Sequence, residues 1–253
     1  MIKVEASQTE RRERRVLHDL HGILLVDKPA GITSFDVIRQ LKRKFSPKKI
    51  GHAGTLDPFA DGLLIILLGK ATKIQSHFLT ADKSYRGQIR FGVASNTDDI
   101  TGELSPTDDL FSWEALGGVD EVIARLTASF LGKQQQRPPA FSAIQRDGQR
   151  SYRLARQGIM LEHEPREIEI KQLHLSPAGA DTLNYSLTCS KGTYVRALAR
   201  DMGRFLGTAA LVQTLTREGS TPFVIAQAKP LSELILLEDL TPRLLPPEAL
   251  AFC

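Results

Sequence analysis

Cysteine is scarce in this sequence. Among 253 residues only Cys189 and Cys253 occur, and they lie far apart. Two distant cysteines provide neither a disulfide framework nor the paired spacing of a zinc site. This scarcity argues against the small disulfide-stapled class and fits a protein of the reducing cytoplasm.

Long apolar runs are also missing. The longest uncharged apolar run, 63–69, is too short to cross a bilayer. The first twenty residues are charged and lack the apolar core of a secretory signal. Hydrophobic residues make up 42% and charged residues 25%, as in ordinary globular proteins. At this length the chain can bury a sizeable core.

Positive charge is present but unevenly distributed. The net charge is +4; residues 1–60 hold 12 Lys and Arg against 7 Asp and Glu. Residues 133–157 hold six basic residues against Asp147 alone, whereas 231–253 carry a net −3. Two separated basic stretches would suit a phosphate backbone. On charge alone, however, a solvated surface is the simpler interpretation.

Strand and helix patterns are mixed along the chain, and several strands follow one another directly. The 134–149 stretch contains two prolines and a glycine and is predicted to form no regular element. These patterns predict one α+β domain, with a central mixed, mostly antiparallel sheet flanked by helices and loops. Strands are predicted at 22–29, 63–68, 84–93, 166–175 and 182–190. Helices are predicted at 119–131 and 151–158, and two more begin after a cap at Thr33 or Ser34 and at residue 195.

Asp57 stands out in the stretch GHAGTLDPFADGLLIILLGKATK (51–73). Pro58 pushes its backbone out of the helical region, and the following strand fixes one end of the loop. A carboxylate held at the rim of a sheet can act as a nucleophile or general base. An Asp that only caps a turn is the commoner explanation. A metal site built from His52, Asp57 and Asp61 matches no known pattern, so no metal is expected.

A second acidic group lies in TDDITGE. Asp98, Asp99 and Glu103 could supply the second carboxylate that glycoside hydrolysis needs. The stretch is more simply interpreted as a solvated loop, so a hydrolase lacks support.

Arg196 lies in CSKGTYVRALARDMG, in the first turn of a predicted helix. An arginine gains nothing from the helix dipole there, so a carboxylate partner would explain it better. If that partner is Asp57, the guanidinium would keep the carboxylate ionised and oriented. A surface arginine is the ordinary alternative. Arg200 and Arg204 follow at four-residue intervals on the same face.

The stretch RPPAFSAIQRDGQRSYRLARQG (137–158) is basic and carries Phe141 and Tyr152. It suits a loop that closes on an RNA backbone, with rings available to stack on bases. The alternative is a solvent loop with its rings in the core. Loops of this length are usually functional or disordered, which favours a function.

Five motifs in order resemble the TruB-type tRNA pseudouridine-55 synthases of the pseudouridine synthase family. The stretch around Asp57 is the most specific of them. The other four are LLVDKPAGITSFDVI, DKSYR, the 137–158 stretch and CSKGTYVRALARDMG.

The resemblance implies an isomerase that flips a uridine out of the tRNA T-loop at position 55. The N-glycosidic bond is cut, and the uracil is rotated and rejoined through carbon. Asp57 would be the catalytic carboxylate, Tyr85 the tyrosine that stacks on the base and is implicated in a proton transfer, and Arg196 the partner of Asp57. No cofactor is expected. The atom that Asp57 attacks stays open.

The resemblance also implies contacts with RNA. His52, Tyr194 and Leu215 match positions that line the base and T-loop pocket. Beyond tRNA we expect no membrane contact and no obligate protein partner, and we expect a cytoplasmic monomer. Further RNA contacts are predicted at Lys28, Arg137 and Arg153.

Two departures from the family pattern are visible. Thr216 stands where the family usually has the first arginine of Leu-Arg-Arg, which weakens the expected phosphate contacts there. Many bacterial members also continue into a C-terminal RNA-binding domain, whereas this chain ends at Cys253. We therefore expect a basic extension at 1–20, a catalytic domain at 21–230 with an RNA-gripping insertion at about 133–160, and a stub at 231–253 without a PUA-like domain.

Two rival functions remain. One is a non-catalytic tRNA-binding protein or RNA chaperone on the same fold. The other is an Asp-dependent nucleoside hydrolase. The joint presence of Asp57, Tyr85 and Arg196 argues against the first rival, which could lose them freely.

Overall fold

The computed structural model describes residues 18–106, 111–142, 145–146, 149–151 and 163–248. Its strands are β1 (Gly22–Lys28), β2 (Ile50–His52), β3 (Asp61–Leu68), β4 (Lys83–Phe91), β5 (Val93–Ser95), β6 (Leu104–Pro106), β7 (Gly132–Gln136), β8 (Gln145–Arg146), β9 (Gln149–Arg150), β10 (Arg166–Pro177), β11 (Thr182–Cys189), β12 (Ala210–Ser220), β13 (Phe223–Val224) and β14 (Lys229–Pro230). Its α-helices are α1 (Ser34–Phe45), α2 (Gln75–Thr80), α3 (Val119–Phe130), α4 (Val195–Phe205) and α5 (Leu231–Leu234). Short 3₁₀ turns lie at Gly69–Ile74, Glu114–Leu116, Ile225–Gln227 and Thr241–Arg243.

A ten-stranded sheet organises the fold. Its strand order is β14-β1-β3-β12-β4-β11-β10-β7, with β2 added to β3 and β13 added to β12. The β1–β14 and β3–β12 pairs are parallel and the other pairs are antiparallel. This confirms the predicted α+β class with a mixed, mostly antiparallel sheet.

The apolar run 63–68 forms most of β3, in the interior of the sheet. Leu64 and Ile66 face α1, whereas Leu63 and Ile65 face the side that holds Phe78. Every residue of the run is buried because both faces of the strand are covered. The strand therefore gives the Asp57 loop a rigid end.

Helix α1 begins as the sequence predicts. Thr33 is its N-cap, and a capping box links Thr33 and Asp36 in both directions. The first helical residue, Ser34, is buried and points toward the Asp57 loop.

The prediction of no regular element over 134–149 is wrong at both ends. Strand β7 continues through Gln136, which pairs with Arg166 of β10, and β8 pairs with β9. The glutamine-rich stretch has no strand pattern of its own, so its pairing with β10 defines it. Pro138 follows only after the strand has ended. The helix predicted at 151–158 lies, beyond Ser151, outside the described residues.

Residues after 230 join the same core. Leu231, Leu234 and Leu240 pack in one buried cluster with apolar residues of α1 and β3. The domain boundary drawn at 230 stays a prediction. Across the described ranges, none of the helices combines the length and apolarity that crossing a membrane demands.

Candidate active site

Asp57 and Arg196 form a bidentate ion pair. Arg196 Nε donates to Asp57 Oδ2 at 2.8 Å, and Nη2 donates to Oδ1 at 3.1 Å. The arginine side chain is 4% exposed and the carboxylate 28% exposed. The pair expected from the sequence is thus present. Its geometry presents the carboxylate to solvent while the cation holds it from behind.

Arg196 also ties two other segments to this point. Its Nη1 donates to the carbonyl of Thr97 at 2.8 Å, and its Nη2 donates to the carbonyl of Phe141 at 3.0 Å. Burial alone lowers the pKa of the guanidinium, but the charge and hydrogen bonds of Asp57, with the charge of Asp99, leave it raised. Arg196 is therefore a permanent cation at the centre of the site.

The interpretation of TDDITGE as a solvated loop is wrong for its two aspartates, although Thr101 and Glu103 are exposed. Asp99 is buried, and its Oδ1 accepts hydrogen bonds from Thr97 Oγ1 at 2.9 Å and Thr101 Oγ1 at 2.6 Å. Its Oδ2 lies 3.7 Å from Arg196 Nε. The aspartates of this turn can be withdrawn from solvent because arginines of α4 compensate their charge.

Two side chains near β1 hold the backbone of the Asp57 loop. Ser34 Oγ accepts from the amide of Leu56 at 2.9 Å and donates to its carbonyl at 3.1 Å. Lys28 Nζ donates to the carbonyls of Ile32 at 2.8 Å, Pro29 at 2.9 Å and Pro58 at 3.4 Å. The residues on both sides of Asp57 are therefore fixed.

Lys28 is predicted from the sequence to contact RNA, but in the structure it is buried. Its side chain is 0% exposed. Burial lowers its pKa to about 8, with the charge of Asp61 acting in the opposite direction. In this geometry Lys28 positions the loop and does not reach solvent.

Arg217 and Tyr85 lie on neighbouring strands and form one wall of the site. Arg217 is buried, and it donates to the carbonyls of Leu63 at 2.7 Å and of Thr55 and Gly54, both at 3.3 Å. Tyr85 is paired with Arg217 in register. Burial raises the pKa of Tyr85 to about 12, the Arg217 charge acting against this. The phenol is therefore neutral at physiological pH.

The remaining predicted residues that the structure describes differ in their exposure and partners. His52 ends β2, and its carbonyl accepts from Gln75 Nε2 at 2.8 Å. Tyr194 caps α4, and its ring lies beneath the Arg166 guanidinium at 4.9 Å. Leu215 is buried in the core. Arg137 is exposed just after β7, and Arg153 lies outside the described residues.

The sequence patterns do not assign three of these residues to the site. Asp99 looks like part of a polar turn, and Ser34 looks only like a possible helix cap. Arg217 carries a usable signal, because it shares the inward face of β12 with Leu215 and Gly219. A charged residue at an inward position needs buried partners, and this one has them.

The arrangement offers the Asp57 carboxylate, paired with Arg196, and the neutral phenol of Tyr85, whose pKa the Asp57 charge helps to raise. An aspartate held this way can attack an electrophilic carbon or remove a proton, and a phenol can exchange a proton or stack on a ring. Within the part of the chain that the structure describes, no three His, Cys, Asp or Glu side chains gather closely enough to hold a metal ion.

Comparison with known proteins identifies the family of this chain. The profile of the TruB family pseudouridylate synthase (N terminal domain) matches residues 42–195. The tRNA pseudouridine synthase B of Nitrosococcus oceani is 41% identical over 230 residues, covering 90% of this chain and 73% of that protein. The protein of the same name from Opitutus terrae is 40% identical, covering 90% of this chain and 93% of that one.

Solved structures show the same fold. A chain from a Cbf5-Nop10-Gar1 complex matches with a TM-score of 0.64 and 25% identity, over 85% of this chain and 54% of that one. A chain from an H/ACA RNP bound to a substrate RNA containing 2'-deoxyuridine matches with a TM-score of 0.65 and 22% identity, over 90% and 60%. This chain thus spans less than two thirds of those solved chains. On the matched profile and the similarity to these bacterial relatives, the chain belongs to the TruB family of pseudouridylate synthases.

Proposed function

We propose that this protein converts a uridine of tRNA into pseudouridine, at position 55 in the T-loop. The observation that carries the proposal is the Asp57 carboxylate, which buried Arg196 holds in a bidentate ion pair and whose charge contributes to the raised pKa of the Tyr85 phenol. The relatives named above are tRNA pseudouridine synthases, which supports tRNA as the substrate.

The chemistry fits one carboxylate. The isomerisation breaks the bond between the sugar and a ring nitrogen, forms a bond from the same sugar carbon to a ring carbon, and releases the proton of that ring carbon. No atom is added and no electron is lost, so neither a second acid with a water molecule nor a redox cofactor takes part. Asp57 begins the reaction by attack on the sugar, by attack on the ring or by removal of a sugar proton. All three need an ionised carboxylate in this position.

Access to the uridine requires base flipping. Flipping costs a few kcal/mol of stacking, and stacking on Tyr85 together with contacts from basic residues to phosphates would offset it. Arg137 is placed for such a contact because it is exposed beside the segment that Arg196 holds. We propose that the protein acts as a cytoplasmic monomer on tRNA without an obligate protein partner.

The direct test is incubation with an unmodified tRNA transcript, followed by chemical mapping of pseudouridine. The expected result is one modified position in the T-loop. A folded protein that binds the transcript but leaves every uridine unmodified would favour the RNA-binding alternative. Release of free uracil would favour the hydrolase.

The carboxylate can be tested separately. We expect Asp57→Asn to abolish pseudouridine formation and to leave tRNA affinity within about threefold, because an amide of the same shape lacks the charge that the reaction needs. Asp120→Asn is a matched control, since Asp120 is exposed in the first turn of α3. Substantial turnover by the Asp57→Asn protein would show that another group is the nucleophile.

A further inference from the structure

Arg200 lies one turn after Arg196 on the same face of α4 and is also withdrawn from solvent. Its Nη1 donates to Asp98 Oδ2 at 3.0 Å and its Nε to Asp201 Oδ1 at 3.0 Å. Its Nη2 donates to the carbonyl of Arg137 at 2.8 Å. Each of the three guanidinium nitrogens thus donates to a different acceptor, a geometry that the single ammonium group of a lysine cannot reproduce.

The two arginines hold the same two segments. Arg196 donates to the carbonyl of Thr97, and Arg200 donates to the carboxylate of the next residue, Asp98. Arg196 donates to the carbonyl of Phe141, and Arg200 donates to that of Arg137, four residues earlier. Each segment is therefore attached to α4 at two points, one helical turn apart, which fixes its orientation as well as its distance.

The backbone conformation and the burial of Asp98 are both unfavourable, and its contacts compensate for them. Its backbone has φ +60°, a left-handed conformation that few non-glycine residues adopt. Its side chain is about as buried as that of Arg200. Burial raises its pKa, and Asp201 adds to this, while Arg200 and Arg196 oppose it. Its carbonyl accepts the amide of Val212 at 3.1 Å, which ties the turn to β12.

Arg204, one turn further along α4, provides a contrast. Its side chain is 70% exposed and its Nη1 lies 3.9 Å from Asp201 Oδ1. The side chain of Arg200 is 15% exposed. The two residues share type, helix and face, but only Arg200 is mostly withdrawn from solvent and donates to Asp98 and to the carbonyl of Arg137.

We propose that Arg200 is a positioning residue for the reaction. Through Asp98 and the carbonyl of Arg137 it fixes the two segments that set the position of Arg196, and hence the orientation of the Asp57 carboxylate. The proposal rests on the proposed function. It predicts that Arg200 acts on the chemical step and not on RNA affinity, because its donors are turned to protein acceptors.

The test measures pseudouridine formation in single turnovers at saturating tRNA transcript, together with the dissociation constant and the thermal midpoint. We expect Arg200→Gln to slow the rate constant roughly 10- to 100-fold, since small misplacements of a reacting group have effects of this size. The dissociation constant should stay within about twofold. Arg204→Gln should match the unaltered protein in rate and affinity.

A second variant separates positioning from folding. Arg200→Gln leaves Asp98 as a buried carboxylate without its main partner and can destabilise the chain. Asp98→Asn/Arg200→Gln removes both charges, and we expect it to fold. Because Asp98 acts through its contact with Arg200, which the first substitution already removes, the rate of the double variant should be about that of Arg200→Gln.

The outcomes distinguish the two proposals. If the unaltered protein forms no pseudouridine, the proposed function fails. If it is active and the folded double variant is as fast as Arg204→Gln, the positioning role is wrong. A loss confined to RNA affinity, with an unchanged rate constant, would also overturn it and would make Arg200 a phosphate contact.

Discussion

Cations withdrawn from solvent hold the Asp57 loop and its neighbouring segments from two sides, and the acceptors on the two sides differ. On the β1 and β12 side, Lys28 and Arg217 donate to backbone carbonyls; we call these two the carbonyl clamp. On the α4 side, Arg196 and Arg200 also donate to carboxylates; we call these two the carboxylate clamp.

The two kinds of acceptor affect the pKa values of the bound cations differently. A carbonyl is neutral and leaves most of the desolvation cost of a buried cation in place, so the pKa of Lys28 falls to about 8. A carboxylate compensates that cost, so the pKa of Arg196 is raised despite its burial. The carbonyl clamp therefore fixes the shape of the loop, whereas the carboxylate clamp also places a counter-charge against the reacting group.

Breaking the carboxylate clamp at Arg196 should have the largest effect. We expect Arg196→Met to slow pseudouridine formation by at least about 100-fold, because Asp57 loses both its orientation and its counter-charge. Removing one partner of a buried pair is also strongly destabilising, by about 3 kcal/mol here, at the low end of the range because Asp57 is partly exposed. Single-turnover rates and urea denaturation measure the two losses.

Arg196→Lys sharpens the same comparison. Lysine keeps the charge but not the fork that reaches Asp57 and two carbonyls at once. We expect it to recover part of the lost stability and little of the rate. Full recovery of the rate by lysine would mean that charge alone, and not geometry, is what Arg196 supplies.

The carbonyl clamp should make the free energy of unfolding depend on pH. The pKa of Lys28 is about 8 in the folded protein and near 10.5 in the unfolded chain. Between these values the unfolded state binds more protons, so stability rises with pH. From pH 8 to 9.5 we expect this residue to add about 1.5 kcal/mol to the free energy of unfolding.

Lys83 provides a matched control for that experiment. Its Nζ donates to the carbonyls of Phe78, Leu79 and Ala81, and burial lowers its pKa to about 8 as well. Urea denaturation at pH 8 and 9.5 measures how much the free energy of unfolding increases between these pH values. We expect Lys28→Met and Lys83→Met to reduce that increase by similar amounts. An unchanged rise in Lys28→Met would mean that Lys28 is not held as a depressed buried cation.

Local patterns are sufficient to predict much of the fold, whereas the pair at the centre of the site also needs the family resemblance. The 63–68 run predicted β3, and Thr33 was one of the two expected caps of α1. The Asp57–Arg196 contact joins residues 139 positions apart. It was foreseen because the helix dipole gives an arginine no reason to be there and because the family motifs imply the pair.

The misses have a common physical origin in tertiary contacts. Asp98 and Asp99 resemble a solvated turn until α4 places cations against them, and nothing in a local window reports that. Lys28 looks like a basic residue in an RNA-binding motif, but its carbonyl acceptors come from neighbouring loops. Strand β7 lacks an apolar pattern and exists through its pairing with β10.

The smallest expected effects come from two adjacent residues that separate local stability from site geometry. Thr33 accepts the amide of Asp36 at 3.0 Å and caps α1, whereas Ser34 accepts the amide of Leu56 beside Asp57 at 2.9 Å. We expect Thr33→Ala to cost about 1 kcal/mol of stability and to leave the rate within about twofold. Ser34→Ala should cost a similar free energy of unfolding, since it leaves buried backbone groups of Leu56 without their partner.

Ser34→Ala should in addition slow the reaction by roughly tenfold, because Leu56 positions the residue that carries the carboxylate. Equal stability losses with unequal rates would show that what matters for the reaction is the backbone contact beside Asp57 and not the strength of α1. Equal rates in the two variants would contradict this: they would mean that Lys28 and Arg217 hold the loop sufficiently without Ser34.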